Sequence, residues 1–197
     1  MNPEQLTALV MFAIITSFTP GPNNAIAAAT GANFGLRAAL PHIFGVPFGM
    51  ATLLLLGTLG AAALLLAHPV AMLLVKWLGI VYLIYIAWLI GNTRTLKDKQ
   101  VARPLTFVQS ALFQYANPKA WMMAVAAVGS YMRPQNGSGG VWPVFAVFVL
   151  CGLCSSSLWS WLGAALRSWL QQGARFAWFN RIMGASLAAT AVWMLFE

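Results

Sequence analysis

Between Leu6 and Thr30 the chain carries no Asp, Glu, Lys or Arg, and apolar runs with at most one charge each return near 38–67, 71–91, 105–131, 141–166 and 177–196. About 20 consecutive apolar residues suffice for a helix to cross a bilayer. Hydrocarbon offers no partner for a free N–H or C=O, so such a run must be helical. Continuous Leu, Ala and Val also lack the alternation of a transmembrane barrel strand. The runs therefore predict an all-α integral membrane protein with six transmembrane helices. Composition agrees: 7% of residues are charged and 60% hydrophobic, where a soluble domain carries roughly 25% charged residues. A water-soluble enzyme or binding module is excluded.

The net charge of +8 would suggest nucleic acid in a soluble protein. In a membrane chain it records orientation instead, so the expected partner is the lipid bilayer and no nucleic acid. The connections at 33–40, at 92–104 and after 166 hold Arg37, Arg94, Lys97, Lys99, Arg103, Arg167, Arg175 and, just inside the last run, Arg181. The opposite side holds only Lys76 and Arg133. Positive charge collects on the cytoplasmic face. A bacterial inner-membrane protein with both termini in the periplasm is thus expected. The first run has no basic leader before it and no small-residue cleavage site after it, so it is expected to stay as the first span. Trp77, Trp88, Trp142, Trp169 and Trp178 fall near run ends, where indole suits the interface.

A single transmembrane domain over 1–197 is expected, with a first three-helix half at 1–91, a basic cytoplasmic loop at 92–104 and a second half at 105–197. Three is odd, so the second half must lie upside down relative to the first. Each half opens on an interrupted span: Thr19-Pro20-Gly21-Pro22-Asn23-Asn24 in one, Asn117-Pro118-Lys119 in the other. Interrupted helices at matching positions of inverted halves point to a transporter's binding site.

The chemistry of these breaks is specific. Pro20 and Pro22 lack N–H groups, so the carbonyls of Thr16 and Phe18 lose their helical donors. Thr19 and Gly21 each precede a proline and are pushed to extended dihedrals. A broken helix presents carbonyls at one end and N–H groups at the other, which suits the two poles of an amino acid. Asn23, Asn24 and Asn117 add amides that donate or accept. Asn117 caps and Pro118 begins a new segment. A lysine charge at membrane depth costs roughly 2.5–3.5 kcal/mol, so Lys119 should face the interior, where it can hold a substrate carboxylate.

These residues carry a family resemblance. Thr19–Asn24 resembles the first-helix signature of the LysE/RhtB family of bacterial amino-acid exporters. Gly31-x3-Gly35-x-Arg37 with Gly45 and Gly49, Lys76-Trp77-Leu78-Gly79-x-x-Tyr82-Leu83, and Asn117-Pro118-Lys119 are similar to its later motifs, in order. The resemblance covers the first 130 residues. It implies a six-helix exporter, often a homodimer, driven by the proton gradient, and it places Pro20, Gly21, Pro22, Asn23, Asn117 and Lys119 at the site. The double Asn and the Gln114-x-x-Asn117 context are most similar to the cysteine/O-acetylserine exporter branch. Gly31/Gly35 and Gly45/Gly49 read as small-xxx-small packing pairs.

No Asp or Glu lies deep in any run, so a neutral amino acid is the expected substrate and proton coupling lacks the usual buried carboxylate. His42 is one alternative carrier; movement linked to the substrate or Lys119 is another. The sequence offers no phosphate loop, no acid pair and no clustered His or Cys, so neither enzyme chemistry, nor a metal, nor a cofactor is expected. Cys151-Gly-Leu-Cys154 invites a competing reading, a membrane thiol-disulfide oxidoreductase. Against it, both cysteines share one run. Ser155, Ser156 and Ser157 beside them can bond across helices or line a polar path.

Overall fold

A computed structural model describes residues 1–60, 68–94, 103–132, 140–170 and 172–196. Lys97, Lys99 and Arg133 of the charge count, and the end of the 38–67 run, lie outside the described residues. Every regular element described is helical: α1 Pro3–Phe18, α2 Pro22–Phe34, α3 Leu36–Thr58, α4 Pro69–Asn92, α5 Phe107–Ala116, α6 Pro118–Tyr131, α7 Val141–Leu170 and α8 Arg175–Phe196. Among the described residues α3, α7 and α8 are each long and apolar enough to cross a membrane. The pair α1 and α2, bent by 54°, makes a fourth candidate.

Local chemistry sets the boundaries. Asn2 and Gln5 form a capping box at the start of α1, as Thr106 and Gln109 do at α5. Pro22 and Pro118 open α2 and α6, where a missing N–H costs nothing. The first interruption is narrower than the proline cluster: only 19–21 leave the helix, and Asn23 and Asn24 already lie in the first turn of α2. The expected 33–40 connection is shorter still. Gly35 alone separates α2 from α3, with φ 86°, a conformation side chains resist. Gly35 is therefore a turn residue and not half of a packing pair.

The other glycines of that reading do pack helices. A β-carbon on Gly31 would strike the Ser160 carbonyl, and one on Gly163 the Ala28 carbonyl, so α2 and α7 touch backbone to backbone. Gly45 lies against the Phe107 carbonyl and Gly49 against the Ala111 carbonyl, seating α3 on α5. Gly184 meets Gly91 between α8 and α4. Small residues allow such approach.

Contact registers give directions. Phe12 meets Phe148 and Trp159 reaches Phe18, so α1 runs with α7. Positions 45 and 49 meet 107 and 111, so α3 runs with α5. Phe12 also meets Tyr131 while Thr19 meets Lys119, so α1 runs against α6. Lys76 bonds the Leu195 carbonyl while Gly91 meets Gly184, so α4 runs against α8. The outer surface is rich in exposed Leu, Ile, Val, Phe and Trp, while His42, Ser110, Gln114, Asn117, Ser155 and Asn180 are buried. Apolar outside and polar inside is the arrangement lipid favours. At the α7–α8 turn, Arg175 and Arg181 lie over the rings of Trp169 and Trp178, a cation–π pairing suited to an interface.

Candidate functional site

A helix that stops in a membrane leaves its last carbonyls unpaired; at the end of α1 the Thr19 N–H takes the Ile15 carbonyl, and side chains answer those that follow. The Thr19 hydroxyl donates to the Thr16 carbonyl at 3.2 Å. The Ser17 carbonyl accepts from Asn24 Nδ2 at 2.8 Å and from the Ser155 hydroxyl at 2.7 Å. Trp159 Nε1 donates to the Phe18 carbonyl at 3.3 Å. The Thr19 carbonyl accepts from Asn24 Nδ2 at 2.8 Å and from Lys119 Nζ at 3.1 Å. Asn24 is thus the internal clamp of the break.

Lys119 reaches this point from the second break. Asn117 is the single non-helical residue between α5 and α6, and its Oδ1 accepts from the Lys119 N–H at 3.1 Å, the cap expected of it. The side chain then crosses to α1, where Nζ donates to the Thr19 carbonyl and, at 2.8 Å, to the Thr19 hydroxyl. A β-carbon on Gly21 would lie 3.2 Å from that Nζ and 3.3 Å from Cδ. The backbone of Gly21 is extended, so its small size serves the passage of Lys119 and not an unusual dihedral. Lys119 is half-buried, borders both the cavity and the groove outside it, and has a partner within the protein.

Between the breaks lies a cavity of about 50 Å³, bordered by Gly21, Pro22, Asn23, Asn24, Asn117 and Lys119 from the expected residues. Thr19 and Pro20 border instead a groove of about 460 Å³ outside it, which shares Gly21 and Lys119 with the cavity. Pro118 borders neither and acts by starting α6. Gln114, Ser155 and Ser156 complete the polar part of the cavity wall; Val46, Met50 and Phe148 are apolar. Ligand pockets run to roughly 300–1,000 Å³, so this one has room for only a few waters.

Hydrogen bonds sort the wall into braced and open groups. Asn23 and Gln114 exchange amide bonds at 2.8 and 3.0 Å, and Gln114 Nε2 also reaches the Ser110 carbonyl. His42, 0% exposed, sits behind them. Its Nε2 is 3.1 Å from the Asn23 carbonyl and its Nδ1 3.0 Å from the Ser110 hydroxyl. A carbonyl only accepts, so Nε2 carries the proton and the serine donates to Nδ1. The neutral ring is fully satisfied, and His42 joins α3 to α2 and α5 without bordering the cavity. By contrast, Asn117 Nδ2 and the Ser156 hydroxyl make no hydrogen bond among the described residues, although both residues border the cavity at 2% exposure.

Gln114, Ser110, Ser155 and Trp159 are the contributors that residue-by-residue reading misses. Gln114 stood out only as context for Asn117, and Ser155 only as one of three serines. A second buried pair, Asn33 with Asn180, exchanges amide bonds at 2.8 and 3.2 Å at the far end of α2. Cys151 and Cys154 are unpaired thiols, and neither borders the cavity. Among the described residues no group of His, Cys, Asp or Glu is arranged to hold a metal.

Comparison with known proteins identifies a family. The sequence description of one family, LysE type translocator, matches residues 14–197. The cysteine/O-acetylserine efflux proteins of Escherichia coli K12 and Shigella sonnei are each 28% identical over 176 residues, covering 89% of this chain and 90% of the relative. The Shigella flexneri protein of that name aligns equally far at 28% identity. No solved structure matches.

Proposed function

This chain belongs to the LysE type translocator family, and from that membership we propose that it exports a small neutral amino acid of the cysteine/O-acetylserine kind across the bacterial inner membrane. The observation that carries the reading is the cavity between the two breaks. At one end stand the Lys119 ammonium and the open Asn117 amide donors, a pair suited to a carboxylate. No Asp or Glu borders the cavity, so a cationic side chain would find no countercharge, whereas a neutral one needs none.

In this reading the six passes form two inverted halves, each led by its broken helix. The registers support it: each broken helix runs with the middle helix of the other half, and the last helices run against each other. Inverted halves give alternating access around a fixed site. In the same reading the α2–α3, α4–α5 and α7–α8 ends, where positive charge gathers, face the cytoplasm and both termini the periplasm. His42 is a brace for Asn23 in this scheme, so coupling runs through Lys119 and the substrate. Thiol relay across the bilayer has no support from the cavity, which neither cysteine borders.

The test is overexpression in a bacterial host with amino acids measured in the medium. Faster release of cysteine or O-acetylserine is expected, with the excess falling roughly 10–100-fold for Lys119→Met at equal membrane abundance. No excess of any amino acid from the parent protein would refute export.

A further inference from the structure

Two buried polar atoms have no hydrogen-bond partner among the described residues: Oγ of Ser160 and Nε of Arg167. Both belong to α7, and both lie where it meets α2. Positions 156, 160, 163 and 167 are spaced by four, three and four, which sets them in one row along a helix. The row starts at the cavity with Ser156. It passes Ser160 and Gly163, where the two backbones touch through Gly31 and Ala28. It ends at Arg167, whose Nη1 lies 3.3 Å from where a β-carbon on Gly35 would stand. Gly35 closes α2, so the row follows that helix from the break to its last turn.

Burying a hydroxyl without a partner is unfavourable, and alanine would fit this small-residue seam without that cost. Ser160 is nonetheless 0% exposed, with its hydroxyl unanswered. An arginine left incompletely satisfied at the mouth of the same seam repeats the pattern. Polar groups that lack partners when two surfaces are shut gain them when the surfaces part and water or solute enters.

We infer that the α2–α7 seam is the closed cytoplasmic access route to the cavity, with Arg167, Ser160 and Ser156 as successive polar contacts for an amino acid on its way in. The inference rests on the export reading and on its orientation. The guanidinium of Arg167 matches a carboxylate in shape and charge, which makes it the receiving group at the mouth. Ser160 then replaces part of the solute's hydration midway, and Ser156, open to the cavity, hands it to Asn117 and Lys119.

The experiment uses the full chain in membranes, with Cys151→Ser and Cys154→Ser as background. Ser160→Cys is exposed to a charged methanethiosulfonate reagent at the cytoplasmic face of inverted vesicles, with and without millimolar O-acetylserine. Modification from that face, quickened severalfold by O-acetylserine, is expected. In parallel, Ser160→Ala should reach the membrane at the parental level yet export several times more slowly. Arg167→Gln should raise the KM for internal substrate about tenfold, the scale of one charge-assisted hydrogen bond, with Arg167→Lys closer to the parent. Absence of cytoplasmic modification, or parental export by Ser160→Ala, overturns the route. Lys119→Met separates the two readings. If it abolishes export while Ser160→Ala is neutral, the cavity stands and the route lies elsewhere. If it exports normally, the cavity reading fails on its own.

Discussion

The two breaks solve one problem in opposite ways. The second is mended from within: Asn117 caps α6, its N–H reaches the Gln114 carbonyl, and Trp121 Nε1 donates to the Tyr115 carbonyl at 2.8 Å. Every partner lies within a few residues of the gap. The first depends on other helices, with Ser155 and Trp159 of α7 and Lys119 of α6 holding three of its carbonyls together with Asn24. A self-sufficient break keeps its shape whatever its neighbours do. A break held from outside changes when its holders move, and one holder, Lys119, is also the cation at the cavity. Under the export reading, substrate that drew Lys119 away from Thr19 would loosen α1 from α6 and link occupancy to motion.

That contrast fails or sharpens under substitution. Lys119→Met removes both the cavity charge and the tie between the breaks, and export should fall by roughly 10–100-fold, the worth of a hydrogen bond to a charged group. Asn24→Ala should act on the fold, because it takes a donor from two helix-end carbonyls at once. About 1–3 kcal/mol is expected, read as a lower melting temperature in detergent. Asn117→Ala should lose only the cap, about 1 kcal/mol, while export drops disproportionately. Were Asn117→Ala to cost more stability than Asn24→Ala, the division between outside-held and self-mended breaks would collapse. Trp159→Phe and Trp121→Phe each delete one indole bond, about 0.5–1.5 kcal/mol. Only Trp159→Phe should also alter export, since its bond ties a break to a helix outside the broken span, whereas the Trp121 bond stays within its own broken pair. Smallest of all, Cys151→Ser with Cys154→Ser should leave export unchanged; its loss would restore a thiol mechanism.

The breaks were legible in the sequence because proline acts locally. Pro20, Pro22 and Pro118 determine which N–H groups are missing and where a helix can restart, and Asn117 beside Pro118 reads directly as a cap. Lys119 stands out in the sequence by cost, since a charge within an apolar run is expensive in lipid. Its partner does not. Thr19 lies 100 residues away, and nothing in either motif announces the other. The same holds for Gln114, which meets Asn23 across 91 residues, and for Ser155, which meets Asn24 across 131. Asn23 and Asn24 looked interchangeable as amides until packing gave one an exchange partner and the other the carbonyls of α1. Gly35 was misread as packing because its spacing from Gly31 fits a helix–helix seam, whereas its positive φ makes it the turn itself.

A carboxylate recognised at Lys119 and Asn117 is the claim on which site, substrate and coupling all depend. Competition for export in vesicles, with cysteine set against cysteinamide, measures it directly because the two differ only in the carboxyl group. Cysteine should inhibit labelled export at least tenfold more strongly than the amide, and the gap should vanish for whatever transport Lys119→Met retains. Equal inhibition of the parent protein by acid and amide would contradict the site.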